Sequence, residues 1–257
     1  MKLRIVLTLV NITPNVFGYD YVCFSQMNYR HCYLLLKKRI MTEPKIELLH
    51  IDCLHYMKQC KDKQFDLAIS DPPYGISADV NQNNLGGKKG FTKGAGTYKK
   101  YHYTDWDNEV PSLEYFTELQ RISKNQIVWG GNYFHELNLE GIIIWYKGNS
   151  GNFKEGELAK TSINTFKIYQ YSRADAYIND CDSKIHPTQK PTKLYEWILD
   201  NYCKEGDKII DTHLGSGSIA LACWNRKFDL VGCEIDKTYF DNANKRLEQH
   251  KKQLTLF

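Results

Sequence analysis

At 257 residues the chain is long enough for one full α/β domain with a sizeable core and too short for a second large one. Its composition, 42% hydrophobic and 25% charged, is that of an ordinary soluble protein, and no run approaches the roughly 18 apolar residues of a membrane span. The net charge of +4 says nothing about partners: six basic groups (Lys2, Arg4, Arg30, Lys37, Lys38, Arg39) stand against the single acid Asp20 within residues 1–40, leaving 28 basic and 29 acidic residues from Met41 onward.

Residues 1–40 read differently from the rest. The run Ile5 to Val10 after Lys2 and Arg4 looks like the start of a signal peptide, but Asn11 and Pro14 cut it short and no small-residue cleavage site follows. The expectation is a leader of uncertain status, with the folded domain spanning 41–252. From Met41 the pattern becomes regular. Ile46–Ile51 is a strand ending at Asp52, Cys53–Lys61 a helix, and Phe65–Ile69 a second, apolar strand. Residues 75–105 form a long loop with five glycines between 86 and 96, Lys88, Lys89, Lys93, Lys99 and Lys100, and several tyrosines, which together suit phosphates and bases. A plain solvated loop is the alternative.

Leu113, Phe116, Leu119 and Ile122 share a helical face that Ser123-Lys124-Asn125 is expected to end. Strands follow at Gln126–Trp129 and Gly141–Trp145. Residues 147–182 are polar and Gly/Asn-rich with one strand-like run, Ile163–Tyr171, and are expected to form a lobe or loop pair on the sheet rather than a central element. Pro191 opens a helix carrying Leu194, Trp197, Ile198 and Tyr202 on one face. Then come the strand Lys208–Ile210, a glycine loop, the helix Ser218–Trp224, the strand Asp229–Cys233 ending at Glu234, and a last helix from near Asp236. There is no internal repeat. The eight cysteines, at 23, 32, 53, 60, 181, 203, 223 and 233, show neither C-x-x-C spacing nor clustered histidines, which fits reduced thiols in the cytoplasm and no metal site.

Two constellations carry chemistry. The first is Asp71-Pro72-Pro73-Tyr74 at the end of an apolar strand. Asp71 can accept a hydrogen bond from an exocyclic amine, the prolines fix φ and hold the Pro72 carbonyl as a second acceptor, and Tyr74 can stack on a flat ring. A proline turn without function is the bland alternative. The second is strand, glycine loop (Gly215-Ser216-Gly217), helix, strand and acid (Glu234), the geometry of a nucleoside-binding crossover. Gly215, Gly217 and Ala220 even satisfy the loose G-x-G-x-x-A form of a dinucleotide site. Asp211 tips the reading toward S-adenosylmethionine, because a carboxylate at that strand tip welcomes a cationic amino-acid group and not a pyrophosphate.

Taken together, DPPY, His186-Pro187-Thr188-Gln189-Lys190-Pro191 and D-x-x-x-G-S-G resemble the motifs of amino-group DNA methyltransferases. Their order, catalytic motif before cofactor loop, resembles the permuted β-class, and the likeness runs from about Ile46 to Leu247. The resemblance implies a Rossmann-like α/β methyltransferase fold with a mixed, mostly parallel sheet. It implies that Asp71 and Pro72 hold the target amine with Pro73 as spacer, and that Tyr74 stacks on a base flipped out of DNA. It also implies that Asp211, Gly215, Ser216 and Gly217 hold the methionine part of S-adenosylmethionine, Glu234 its ribose and Asp52 its adenine, with Thr188 and Lys190 near its amino-acid end. Thr212-His213 stand where the family more often has proline and phenylalanine, which puts the packing role of those two positions in question.

Asp at the first motif position, rather than Ser, favours adenine N6 over cytosine N4. Residues 147–182 occupy the family's usual place for target recognition, and restriction–modification is the usual setting. The tail Gln253–Phe257 resembles a peptide that docks on the replication sliding clamp, and a fraying amphipathic end competes evenly with that reading. A homodimer is left open. The rivals are an RNA or protein-amide methyltransferase, a DNA-binding module without turnover and, more distantly, a nicotinamide oxidoreductase, which leaves DPPY unexplained.

Overall fold

The computed structural model describes residues 43–76, 110–148, 155–172, 175, 185–186 and 188–254, all within the unit that begins at Glu43. The leader, the lysines of the 75–105 loop and the last three residues of the tail lie outside the described residues.

The elements are β1 (Ile46–His50), α1 (Cys53–Gln59), β2 (Phe65–Ser70), α2 (Leu113–Ile122), β3 (Ser123–Trp129), β4 (Gly141–Tyr146), β5 (Gly156–Thr161), β6 (Phe166–Gln170), α3 (Thr192–Tyr202), β7 (Lys208–Asp211), α4 (Ser218–Arg226), β8 (Asp229–Glu234) and α5 (Lys237–Leu254). The strands form one sheet in the order β1-β8-β7-β2-β3-β5-β4-β6. All pairs are parallel except those of β5, which runs antiparallel to β3 and β4. The expected mixed, mostly parallel α/β sheet is what the chain forms.

Side chains alternate across the sheet with the period of two that a pleated strand imposes. Leu67 and Ile69 of β2, Ile127 and Trp129 of β3 and Ile209 of β7 pack with Leu194 and Ile198 of α3, Leu221 of α4 and Leu247 of α5 on one face. Ala68, Val128 and Ile210, their neighbours in sequence, pack with Met57 of α1 and Phe116 and Leu119 of α2 on the other. Strands covered on both faces have no polar side, so the central ones read as continuous apolar runs.

Two expectations need correction. The helix does end at Ser123, but the next strand does not wait for Gln126: β3 starts at Ser123, which pairs with Phe65 of β2. The capping is done from outside, because the Lys63 ammonium donates to the carbonyls of Gln120 (2.8 Å) and Ser123 (3.0 Å) at the end of α2. The region 147–182 also supplies more than a lobe, since β5 is an interior strand of the sheet. Its sequence, GELAKT, has no apolar alternation to announce it, and its place is set by pairing with β3 and β4.

Sheet order decides what can meet. β1, β8, β7 and β2 are consecutive and parallel, with His50 opposite Glu234, Asp211 opposite Gly232 and Leu67 opposite Ile209. Asp52, Glu234, Asp211 and Asp71 therefore stand along one carboxyl edge, although the strand bearing Asp71 lies far upstream of the strand bearing Asp211.

Candidate active site

Asp71 leaves the tip of β2 with both oxygens occupied. Oδ1 accepts the Tyr74 hydroxyl at 2.5 Å, and Oδ2 pairs with the Lys190 ammonium. The Tyr74 ring is pinned as firmly as its hydroxyl: it stacks on Tyr133 (centroids 5.1 Å apart, 13° between planes) and meets the edge of Phe134 at 6.1 Å. Gly130, at φ +69°, makes this fit possible, because a Cβ there would lie 2.2 Å from Tyr74 Cε1. Burial, then the negative charge of Asp71, pushes the Tyr74 phenol well above its ordinary range, so it stays a hydroxyl donor.

Lys190 is 3% exposed. Its ammonium also lies 3.3 Å from Glu157 Oε2 on β5, 3.4 Å from the Tyr74 hydroxyl and 5.3 Å from the Trp129 ring centroid. Glu157 pairs in turn with the buried Lys147, whose ammonium sits 4.5 Å over the Trp145 ring. Burial alone would discharge both Lys190 and Glu157. The charges of Asp71 and Glu157 outweigh it and raise Lys190, while Lys190 and Lys147 pull Glu157 down to about 2. Asp71, Lys190, Glu157 and Lys147 thus form a chain of alternating charge with no net charge, its two lysines buried and its two carboxylates half-buried.

The glycine loop lies on the next strand. Gly215 and Gly217 take φ of +50° and +71°, and Gly217 is the N-cap of α4. Glu234 ties the loop to β8: its Oε2 accepts the Gly215 N–H at 2.7 Å and its Oε1 the Asp236 N–H at 2.9 Å. Arg246 of α5, 6% exposed, clamps the loop from beneath by donating to the Ser216 carbonyl (3.0 Å) and Ser218 Oγ (2.9 Å). Asp211 is buried and accepts the His213 N–H at 2.9 Å. Burial, with the charges of Asp71 and Glu234, pushes its carboxyl up to about 8 against the opposing pull of that N–H and of Lys190. A carboxyl held neutral by burial and two neighbouring acids gives up its proton when a cation is placed beside it.

Thr212 and His213, the two departures from the family pattern, form a polar floor between the constellations. Ser70 Oγ, the Tyr115 hydroxyl and Thr212 Oγ1 lie 2.6 to 2.8 Å from one another, and His213 Nδ1 is 3.1 Å from Thr212 Oγ1. Burial pushes His213 down to about 4, against the pull of Asp52, so its ring is neutral at pH 7. Asp52 is exposed and caps α1 by accepting the His55 N–H at 2.7 Å. Thr188 contacts His186 Nδ1 at 3.1 Å.

The structure gathers Asp71, Tyr74 and Lys190 into one cluster, with Asp211 on β7, Gly215, Ser216 and Gly217 in the loop after it, and Glu234 on β8. Lys190, expected at a cofactor's amino-acid end, lies between the two groups, bonded to Asp71 and within electrostatic reach of Asp211. Lys88, Lys89, Lys93, Lys99 and Lys100 lie outside the described residues. Sequence reasoning missed Glu157, Lys147, Gly130 and Arg246. Only the Gly130-Gly131 pair after β3 gave a signal, that of a close backbone approach.

This arrangement has counterparts. At 20% identity, the crystal structure of the M1.HpyAVI–SAM complex superposes with a TM-score of 0.52 over 79% of this chain and 98% of its own, a likeness of fold. The type II methyltransferase M2.DpnII of Streptococcus pneumoniae is 25% identical over 268 residues, covering 86% of this chain and 96% of its own. The type II methyltransferase M.HpaI of Haemophilus parainfluenzae is 23% identical, covering 78% and 74%. The profile of the N6/N4 DNA methylase family matches residues 98–245, more than half of the sequence, and the chain belongs to that family.

Proposed function

We propose that this chain transfers a methyl group from S-adenosylmethionine to the exocyclic N6 of an adenine flipped out of DNA. The observation that carries the reading is the meeting, on adjacent strand tips, of an amine acceptor braced by a tyrosine (Asp71, Tyr74) with a buried carboxyl poised for a cation (Asp211).

The residues on β7 and β8 fit S-adenosylmethionine. Asp211 would face its ammonium, the backbone of Gly215, Ser216 and Gly217 its methionine chain, Glu234 its ribose hydroxyls and Asp52 its adenine amine. Bound there, the molecule supplies an electrophilic methyl on a sulfonium. Asp71 and the Pro72 carbonyl accept the two hydrogens of the target amine and localise the nitrogen lone pair, which the ring would otherwise share. Tyr74 holds the ring by its face. The Tyr133 and Phe134 wall and Gly130 fix the position of Tyr74, and in-line placement of this kind supplies a large share of the rate.

Aspartate at the head of the motif supports adenine. Cytosine N4 is the second reading, because the same acceptor pair suits either amine. The similarity to M2.DpnII and M.HpaI, both type II methyltransferases, supports a modification role. The test is incorporation of labelled methyl from S-adenosylmethionine into unmethylated genomic DNA, followed by nucleoside mass spectrometry. N6-methyl-2′-deoxyadenosine is expected; N4-methyl-2′-deoxycytidine would replace the base assignment, and an absence of label in DNA with label in RNA or protein supplied in parallel would overturn the substrate.

A further inference from the structure

Asp71 is described above as the acceptor for the target amine, yet its two oxygens are already taken by donors of the chain itself, Tyr74 and Lys190. Each carboxylate oxygen can accept a second hydrogen bond, but the ammonium and the hydroxyl compete with an incoming amine for the same two oxygens, and the amine gains a clear approach when one of them yields. Tyr74 is held on three sides, by Tyr133, Phe134 and the Gly130 backbone. Lys190 has a long, flexible stem and a second carboxylate already 3.3 Å from its ammonium. A buried ammonium cannot leave one carboxylate without another to receive it, because an unpaired charge in such a site is strongly unfavourable. Glu157 is that second carboxylate, and Lys147 holds it in place from the other side.

We infer that Lys190 is a placeholder on Asp71 that passes to Glu157 when the target base arrives, and that Glu157 is therefore a positioning residue for methyl transfer. No proton changes hands. The ammonium exchanges one carboxylate for the other, Asp71 Oδ2 becomes free for the amine, and the Trp129 face stays beneath the lysine in its first position. The arrangement keeps the acceptor paired when no base is present and gives the displaced cation a partner when one is.

This inference rests on the methyltransferase reading, and the experiment separates the two. Single-turnover methyl transfer to unmethylated genomic DNA is measured at saturating S-adenosylmethionine for the wild type, Glu157→Gln and Glu157→Gln/Lys190→Met, with cofactor affinity measured alongside by calorimetry. If the wild type transfers no methyl to DNA, the functional reading fails. If it does, Glu157→Gln is expected to slow transfer roughly 10-fold or more, because the fraction of sites with Asp71 open shrinks, while cofactor affinity stays within about threefold of wild type. Removing the placeholder as well is expected to restore part of the rate, so the double variant is faster than Glu157→Gln. A merely structural role for Glu157 predicts the reverse order, and a Glu157→Gln rate equal to wild type, or a double variant no faster than the single one, would overturn the inference. Lys147→Met tests the same chain of charges should Glu157→Gln not fold. It leaves Glu157 wholly to Lys190, so the KM for DNA is expected to fall about threefold, and an unchanged or higher KM would refute the inference.

Discussion

Cofactor binding should expel a proton from Asp211. In the free protein its carboxyl titrates at about 8, so the ionised fraction is about 0.01 at pH 6 and about 0.09 at pH 7. A bound ammonium requires the ionised form. Because the free-state pKa is raised, the carboxyl must lose its proton to bind, and affinity must climb as pH rises toward 8. The ratio of the two fractions gives roughly a ninefold gain in affinity from pH 6 to pH 7, with about 0.9 proton released per cofactor bound at pH 7. The window has to stay below about 7.5, because the ligand's own α-amino group begins to titrate near 7.7. Calorimetry of S-adenosylmethionine in two buffers of different ionisation enthalpy reads both quantities at once. Asp211→Asn should bind more weakly at pH 7 and lose both the slope and the proton. A wild-type affinity that is flat from pH 6 to 7.5 with no proton release would refute the argument, and so would a slope that survives in Asp211→Asn.

Three substitutions test the rest of the site. Asp71→Asn keeps the shape of the acceptor and loses its charge; methyl transfer should fall to background in a labelled-methyl assay while calorimetric cofactor affinity stays within about threefold. Gly130→Ala drives a Cβ into the Tyr74 ring at a backbone conformation that itself costs alanine about 1–2 kcal/mol. Turnover should drop by about 100-fold or more with a near-native circular dichroism spectrum, and wild-type turnover would show that the Tyr74 position is not fixed from β3. Tyr115→Phe removes a hydroxyl that bonds to both Ser70 and Thr212 in the core, and should lower stability by about 1–3 kcal/mol in urea denaturation.

How much of this was legible in the sequence follows from the range of the signals. β2 and β7 carry apolar runs because both faces of a central parallel strand are covered, and each ends in a motif whose residue types are demanded locally, by a rigid amine acceptor in one case and a tight glycine turn in the other. Such elements announce themselves within ten residues. β5 does not. Only Ala159 and Thr161 of its six residues are buried, and its position depends on hydrogen bonds to β3 and β4. Glu157 looks like a surface residue in GELAKT and becomes a half-buried counter-charge only through Lys190 and Lys147. Lys190 itself was legible as part of HPTQKP, but its ion-pair partner lies 119 residues away in the chain, a distance no local pattern reports.

The same distant pairings explain how four acids can share one sheet edge. Two carboxylates on neighbouring strand tips would repel, and the fold neutralises them differently. Asp71 keeps its charge, because the Lys190–Glu157–Lys147 chain gives it a cation and balances that cation in turn. Asp211 has no such ion pair among the described residues and is neutralised by holding a proton. The group of Asp71, Lys190, Glu157, Lys147 and protonated Asp211 is then neutral, while Glu234 and Asp52 are held by backbone N–H groups. S-adenosylmethionine brings a sulfonium, an ammonium and a carboxylate, a net charge of +1, and the proton leaving Asp211 cancels it. That group stays neutral with the methyl donor in place, and an uncharged base can then approach Asp71 with the Lys190 ammonium as its competitor for the carboxylate.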